Sequence, residues 1–579
     1  MNKIAITIIS CCFFSIAVFG QKNATWCNPL NLNYRFSYDG LGYREAADPT
    51  LHLYKGSYFL YASKSGGYWY SNNLLNWTFR PSKTLPTEDY APTVETINDT
   101  VFFIASTEGV NISHTRNIYY NTNPKEDNWK IYREEFPITT TDPALFKDDD
   151  GKVYFYYGCS NVNPIMGVQV DPKRQFDTVG TPAVLIKHNI KEHGWEEPGE
   201  ENNKGHNGWN EGAWMNKYKG KYYLQYAAPG TEFKGYADGV YVSDKPLGPF
   251  TYMPNSPFSY KPRGFANGAG HGSTFKDKYG NYWHAGTITV SIRHMFERRV
   301  GLFPAFFDKD GELHCITAFG DYPTMMPARK MDFEKESLFT GWMLLSYKKP
   351  VTASSSLPDH APELAVNEEI RDWWSAQTGN KGEWFQVDLQ KLNTVNALQV
   401  NFADQDAMLK AQDSYIPYQF MIESSVDGKT WKPLVDKSKN RVDVVHDYMV
   451  LPQPVKTRFL RITNISTPAG KFSISGFRVF GKGIGNKPSV VQSVNVNRDK
   501  TDDRRCKLQW MPVKDATGYM VYYGNDPGKL FHSIMVYDDH ELHIPSLNKG
   551  VPYYFRVDAF NENGIAKGKQ VYSSAPTKF

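Results

Sequence analysis

Asp150-Gly151-Lys152-Val153-Tyr154-Phe155-Tyr156-Tyr157-Gly158 decides the fold. A turn dipeptide leads into a run of β-branched and aromatic residues, and a small residue stops it. The phrase recurs. Lys55-Gly56 precedes Tyr58-Phe59-Leu60-Tyr61-Ala62-Ser63, and Asn98-Asp99 precedes Val101-Phe102-Phe103-Ile104-Ala105-Ser106. Lys219-Gly220 precedes Tyr222-Tyr223-Leu224-Gln225-Tyr226-Ala227, and Tyr279-Gly280-Asn281 precedes Tyr282-Trp283-His284-Ala285-Gly286-Thr287. Most copies are followed by another short strand, such as Gly67-Tyr68-Trp69-Tyr70-Ser71 or Gly239-Val240-Tyr241-Val242-Ser243. Helical periodicity is almost absent between residues 40 and 320. Repeated small antiparallel sheets predict propeller blades, and five copies predict five blades.

Beyond the repeats the pattern changes. Trp384-Phe385-Gln386-Val387-Asp388-Leu389, Phe420-Met421-Ile422-Glu423-Ser424-Ser425 and Thr457-Arg458-Phe459-Leu460-Arg461-Ile462 alternate as the strands of a β-sandwich do. Ile484-Gly485-Asn486-Lys487-Pro488 reads as a linker. After it, Leu508-Gln509-Trp510, Gly518-Tyr519-Met520-Val521-Tyr522-Tyr523 and Tyr553-Tyr554-Phe555-Arg556-Val557 predict a second, Ig-like sandwich. The expected fold class is all-β: a five-bladed β-propeller over residues 21–340, a jelly-roll-type β-sandwich over 341–483 and an Ig-like β-sandwich over 487–579.

Composition agrees with this division. A chain of 579 residues is too long for one core. Aromatic residues make up 15%, which suits pleated sheets and also suits stacking on sugar rings. A formal charge of +4 with no basic stripe argues against a nucleic-acid partner. Lys3, the apolar run Ile4 to Phe19 and Gly20 have the layout of a cleaved signal peptide over residues 1–20. A lipoprotein cut before Cys11 or Cys12 is the alternative. No apolar stretch of spanning length follows, so the expected location is secreted, periplasmic or at a bacterial cell surface. Cys27, Cys159, Cys315 and Cys506 are scattered without metal-ligand spacing. Cys27 and Cys315 lie near the two ends of the repeats, where they could pair, but buried free thiols are the favoured reading.

The acids that could carry chemistry stand at the entrances of blades. Asp48 lies in Glu45-Ala46-Ala47-Asp48-Pro49-Thr50-Leu51, and Asp142 in Thr141-Asp142-Pro143-Ala144-Leu145-Phe146. Asp-Pro alone is a common turn dipeptide. Its recurrence at the same blade position, with proline orienting the acid before it, favours function. Glu211 lies in Trp209-Asn210-Glu211-Gly212-Ala213-Trp214, where flanking Trp residues would desolvate it and raise its pKa, as a general acid requires. Glu196, Glu197, Glu200 and Glu201 are rivals, but their cluster reads as a solvated charge run.

Ala47-Asp48-Pro49, then Thr141-Asp142-Pro143-Ala144-Leu145-Phe146-Lys147-Asp148-Asp149-Asp150-Gly151, then Glu211-Gly212, resemble glycoside hydrolase family 43 over residues 28 to 325. The resemblance implies a five-bladed propeller that hydrolyses with inversion. It implies Asp48 as general base, Asp142 as the residue that tunes and orients the acid, and Glu211 as general acid. Ala213 stands where the family often has proline. By the same resemblance, His271 in Gly270-His271-Gly272-Ser273 is the axial histidine that faces a metal, calcium in many members, through waters. Arg298 is the arginine near the acids, able to hold Asp142 or a sugar hydroxyl, with Arg299 as a one-residue register alternative. Trp69 and Tyr68 could form a sugar platform and suit core packing equally well.

Val351-Thr352-Ala353-Ser354-Ser355 through Ile474-Ser475-Gly476-Phe477-Arg478-Val479-Phe480-Gly481 resembles the discoidin-like, coagulation-factor type C sandwich, a module that often binds sugars. The last segment resembles fibronectin type III through Trp510, Tyr519, Tyr522 and Tyr554. The reading that follows is an exo-acting glycosidase on polysaccharide or oligosaccharide. α-L-arabinofuranoside is the first substrate, with β-galactofuranoside and β-xyloside next. Residues 193–209 would overhang the pocket and close one end. The alternatives are a retaining fructoside-type propeller, whose middle acid normally follows an arginine where Thr141 stands here, and a sugar-binding propeller without catalysis.

Overall fold

The computed structural model describes residues 24–106, 115–139, 141–411 and 417–576; the expected signal segment lies outside them. Among the described residues there is no α-helix, only three short 3-10 segments. No helix is long and apolar enough to cross a membrane.

Five four-stranded antiparallel sheets follow one another, each built from consecutive strands. The first holds Thr50–Tyr54, Ser57–Tyr61, Gly67–Ser71 and Thr78–Pro81. The others begin with Thr93–Ile97, Ala144–Lys147, Glu211–Tyr218 and Asn267–Lys276. The recurring runs seen in the sequence are the second strand of each sheet. Their turn dipeptides take the conformation that two-residue hairpins need. Both residues of Lys55-Gly56, Asn98-Asp99 and Lys219-Gly220 have positive φ.

Alternation along a strand sends neighbouring residues to opposite faces, and here both faces are buried. Tyr58, Leu60 and Trp69 of the first sheet pack with Trp283 and Val300 of the fifth. Phe59, Tyr61 and Tyr68 pack with Val94 and Phe103 of the second. Phe102 and Ile104 meet Phe155, Tyr156 meets Leu224, and Tyr223 meets Phe303. First strands likewise contact each other in the order one to five and back to one, so the sheets close into a ring.

An eight-stranded sheet system follows, built on the long strands Trp384–Phe402 and His446–Ser466, whose pairing shifts register between Asp388 and Asn393. Its Arg478 is buried against the ring, donating to the Asp321 carbonyl at 2.5 Å and forking onto Glu368. The last segment forms two facing sheets, with Trp510 edge-on to Tyr519. It too is tied to the ring. Asn548 donates to the Ser256 carbonyl at 2.6 Å, and Lys529 reaches Asp308, Asp310 and Glu312.

The four described cysteines are free thiols, so Cys27 and Cys315 do not pair. Glu196 and Glu197 are not a solvated run. Both are buried, Glu196 accepting from Tyr226 and the Asn189 N–H, Glu197 pairing with Arg504 of the last segment. Glu200 and Glu201 are exposed, as expected. The segment 193–209 therefore divides. Its first half packs on the last domain, the Gly194 N–H bonding the Leu547 carbonyl, while in its second half Asn202 is buried, accepting from Arg505, and Gly205 to Asn207 stand exposed or half-buried.

Candidate active site

In or just before the first strand of every sheet stands a residue in the left-handed backbone region: Asp48 (φ 51), Ala91 (φ 46), Asp142 (φ 48), Gly212 (φ 62) and His271 (φ 42), the last preceded by Gly268 and Ala269 with positive φ as well. Non-glycine residues are strained there and persist only where the surroundings hold them. An oxygen of a neighbouring sheet or its flanking loop supplies that hold. Thr287 accepts the Asp48 N–H at 3.0 Å, Ser63 that of Ala91 at 2.8 Å and Ser106 that of Asp142 at 2.8 Å. Asp142 itself accepts the Gly212 N–H at 3.3 Å, and Asp238 the His271 N–H at 2.7 Å. The ring thus gathers Asp48, Asp142, Glu211 and His271 at one end of the axis.

Asp48 is buried and fully engaged. Ser63 Oγ donates to Oδ2 at 2.6 Å, Arg298 Nη1 to Oδ1 at 2.9 Å, and His271 Nδ1 stands 3.3 Å from Oδ1. Burial alone would raise its pKa. Arg298, His271 and Ser63 outweigh burial and hold it below the usual carboxylate value. Asp142 is the opposite case. Burial, with Glu211 and Asp48 adding against the pull of His271, pushes its carboxyl up to about 7. Its ligand oxygens, Cys159 Sγ and those of Glu211 lie within 4.8 Å of one another.

Glu211 is half-buried between two donors, Cys159 Sγ at 3.0 Å on Oε2 and the Tyr236 hydroxyl on Oε1. Gly212 is required beside it. A Cβ at that position would stand 2.7 Å from the His271 ring. Burial pulls the His271 imidazole down, but Asp48, Asp142, Glu211 and Asp238 together raise it above its ordinary value. Calcium takes six to eight oxygen ligands. The oxygens facing His271 Nδ1 belong to Asp48 and Asp142, which already have partners. Those two carboxylates do not by themselves supply such a set of oxygens.

Two expectations are corrected. Arg298 does not hold Asp142. Its fork spans Asp48 and Glu45 at 2.9 Å each, and Thr231 at 3.2 Å. Arg299 turns away, onto His446. Trp69 and Tyr68 are both 0% exposed and form no platform. Trp69 fills the core between the first and fifth sheets, and Tyr68 that between the first and second, because a closed ring buries both strand faces. Trp209, two residues before Glu211, is 44% exposed.

Sequence reasoning missed Glu45, Ser63, Ser106, Cys159, Thr231 and Tyr236. Ser63, Ser106 and Thr287 had a signal. Each is the sixth residue of its recurring run, where a hydroxyl replaces the apolar pattern. Cys159, Thr231 and Tyr236 come from loops with no repeat to index them.

The closed ring of small β-sheets thus presents three carboxylates, a histidine and an arginine together at one end of its axis. Residues 43–313 match the family described as glycosyl hydrolases family 43, and residues 350–476 match the F5/8 type C domain. The chain carries a family 43 domain followed by a discoidin-like domain. It is 30% identical over 133 residues to a beta-xylosidase of Xylanibacter ruminicola, covering 19% of this chain and 39% of that protein. It is 29% identical over 130 residues to a xylosidase/arabinosidase of Bacteroides ovatus, with the same shares. It thus spans about two-fifths of the length of these relatives. A solved glycoside hydrolase, 19% identical, aligns over 75% of this chain and 97% of its own with a TM-score of 0.44.

Proposed function

We propose that this protein is an exported, inverting exo-glycosidase that removes terminal furanose or pentose residues from polysaccharide, with Asp48, Asp142 and Glu211 as its acids. The observation that carries the reading is their opposed setting. Asp48 is held ionised by Arg298, Ser63 and His271, while burial pushes the Asp142 carboxyl, beside Glu211, up to about 7. Divergent carboxyls side by side are what glycosidic cleavage needs. Glu211 gives its proton to the leaving oxygen as the anomeric C–O bond breaks. Asp48 takes a proton from the water whose oxygen forms the new bond. One water is consumed, and a free sugar and an alcohol result. Tyr236 and Cys159 then hold the Glu211 carboxylate, and Asp142 beside it favours reprotonation.

α-L-arabinofuranoside remains the first substrate, with β-galactofuranoside and β-xyloside next; the names of the relatives in Xylanibacter ruminicola and Bacteroides ovatus support pentosides. Trp209 is the proposed sugar platform. The closed ring of first strands supports a five-bladed propeller, and Trp510 against Tyr519 supports a fibronectin type III module. Proton NMR of the newly released sugar tests the stereochemistry. An inverted anomer at first appearance is the expected product; a retained one overturns Asp48 as base.

A further inference from the structure

Two dipeptides supply the charges behind Asp48, and each sends its other residue away from the site. Arg44-Glu45 and Arg298-Arg299 run side by side. The Ala46 N–H donates to the Arg298 carbonyl at 3.3 Å, and Arg299 Nη1 donates to the Arg44 carbonyl at 2.6 Å. Successive residues of extended chain face opposite ways. Glu45 and Arg298 face Asp48; Arg44 and Arg299 face the discoidin-like domain.

Arg44 is fully buried there. Its Nε and Nη2 fork onto Asp404 at 2.7 and 3.2 Å, and its Nη1 donates to Asp443 at 2.7 Å and to the Tyr34 carbonyl at 2.6 Å. Tyr418 fixes Asp404 in turn, donating at 2.6 Å. Arg299 Nε donates to His446 Nε2 at 2.9 Å, and the other ring nitrogen of His446 lies 2.8 Å from Asn401 Oδ1. The loops around these contacts are bonded through their backbones. The Gly42 N–H donates to the Leu409 carbonyl at 3.1 Å, and the Ala411 N–H to the Ser37 carbonyl at 3.2 Å.

Apolar residues of similar volume would hold a domain interface as well as these buried charges, because desolvation cancels much of their attraction. What forked, fully engaged guanidinium groups add is fixed direction. We propose that Asp404, Asp443 and His446 are positioning residues for the hydrolytic site. By holding Arg44 and Arg299 they set where Glu45 and Arg298 stand, and through them Asp48. The discoidin-like domain is then a working wall of the active site and not a detachable sugar-binding module. The inference rests on the reading of Asp48 as the base.

The test uses the full-length protein and the nitrophenyl glycoside that the wild type hydrolyses. Asp404→Asn, Asp443→Asn and His446→Gln are compared with Asp388→Asn, which breaks the Arg458 pair at the outer face of the same domain. Melting temperatures are measured beside kcat and KM, and rates are taken well below melting. The expected result is a kcat about ten- to hundredfold lower in the three variants, as a small displacement of a catalytic group produces, with KM nearly unchanged and the control like wild type. His446→Gln removes no charge and carries the test if a carboxylate variant does not fold. Wild-type kcat in folded variants, with only the melting temperature lowered, overturns the inference while leaving the function intact. A wild type inert on every glycoside, or an Asp48→Asn variant of full activity, defeats the functional reading and this inference with it.

Discussion

Asp142 shows how one residue joins stability to chemistry. Its folded pKa is raised to about 7 by burial and by its carboxylate neighbours. A raised carboxyl favours the folded state in its protonated form. Its contribution is whole below the unfolded value and is lost as pH rises through 7. Asp142→Asn should therefore melt higher than wild type at about pH 8, with the gain shrinking towards about pH 5; melts at the two pH values decide it, and a gain independent of pH contradicts it. In catalysis the same substitution removes the carboxyl that titrates at about 7, so a limb of kcat/KM near that pH should be present in the wild type and absent from the variant. Trp69 behaves otherwise. As a core residue, Trp69→Ala should cost about 3–5 kcal/mol with no specific rise in KM. A variant of normal stability whose KM rises would restore the platform role.

At the scale of elements, the site is a by-product of how the sheets begin. Five equivalent left-handed residues, each held by a neighbouring oxygen, bring three of the polar groups together, and Glu211 precedes the glycine of the fourth. Gly212→Ala would push a methyl into the His271 ring at a strained φ, so it should lower kcat more than tenfold even in protein that folds, on the scale a small misplacement costs; Ala213→Pro, the common family residue, is the contrasting change. Wild-type kcat for Gly212→Ala would show that His271 is not held this way. The Asp-Pro echo made Asp48 and Asp142 legible because both fall at one repeat position. The hydroxyls of Ser63, Ser106 and Thr287 repeat as clearly, but their role needs the ring to be closed. Ring closure likewise decides between the two readings of Trp69 and Tyr68, platform and core, in favour of the core. An open sheet can leave one face wet, whereas these strands are covered on both.

The whole molecule behaves as one body. The discoidin-like domain buries Arg44 and Arg478 against the ring, and the last domain grips Glu197, Ser256 and the Asp308 cluster. Residues 24–340 alone would expose these buried charges and the shared cores, so that fragment should be insoluble or molten in circular dichroism; a fragment that folds with full activity contradicts both the shared core and the wall proposed above. Domain order was legible from strand patterning, but the interfaces were not, since nothing marks Asp404 or Asp443 as partners of Arg44, 360 and 399 positions away. Glycosidic hydrolysis by Glu211 and Asp48 is read from the release of nitrophenol from 4-nitrophenyl α-L-arabinofuranoside, β-D-galactofuranoside and β-D-xylopyranoside, with wild type beside Glu211→Gln and Asp48→Asn. The account predicts turnover of at least one by the wild type and loss of about three orders of magnitude or more in both variants. Equal rates in wild type and variants, or binding of all three glycosides with no release, would contradict it.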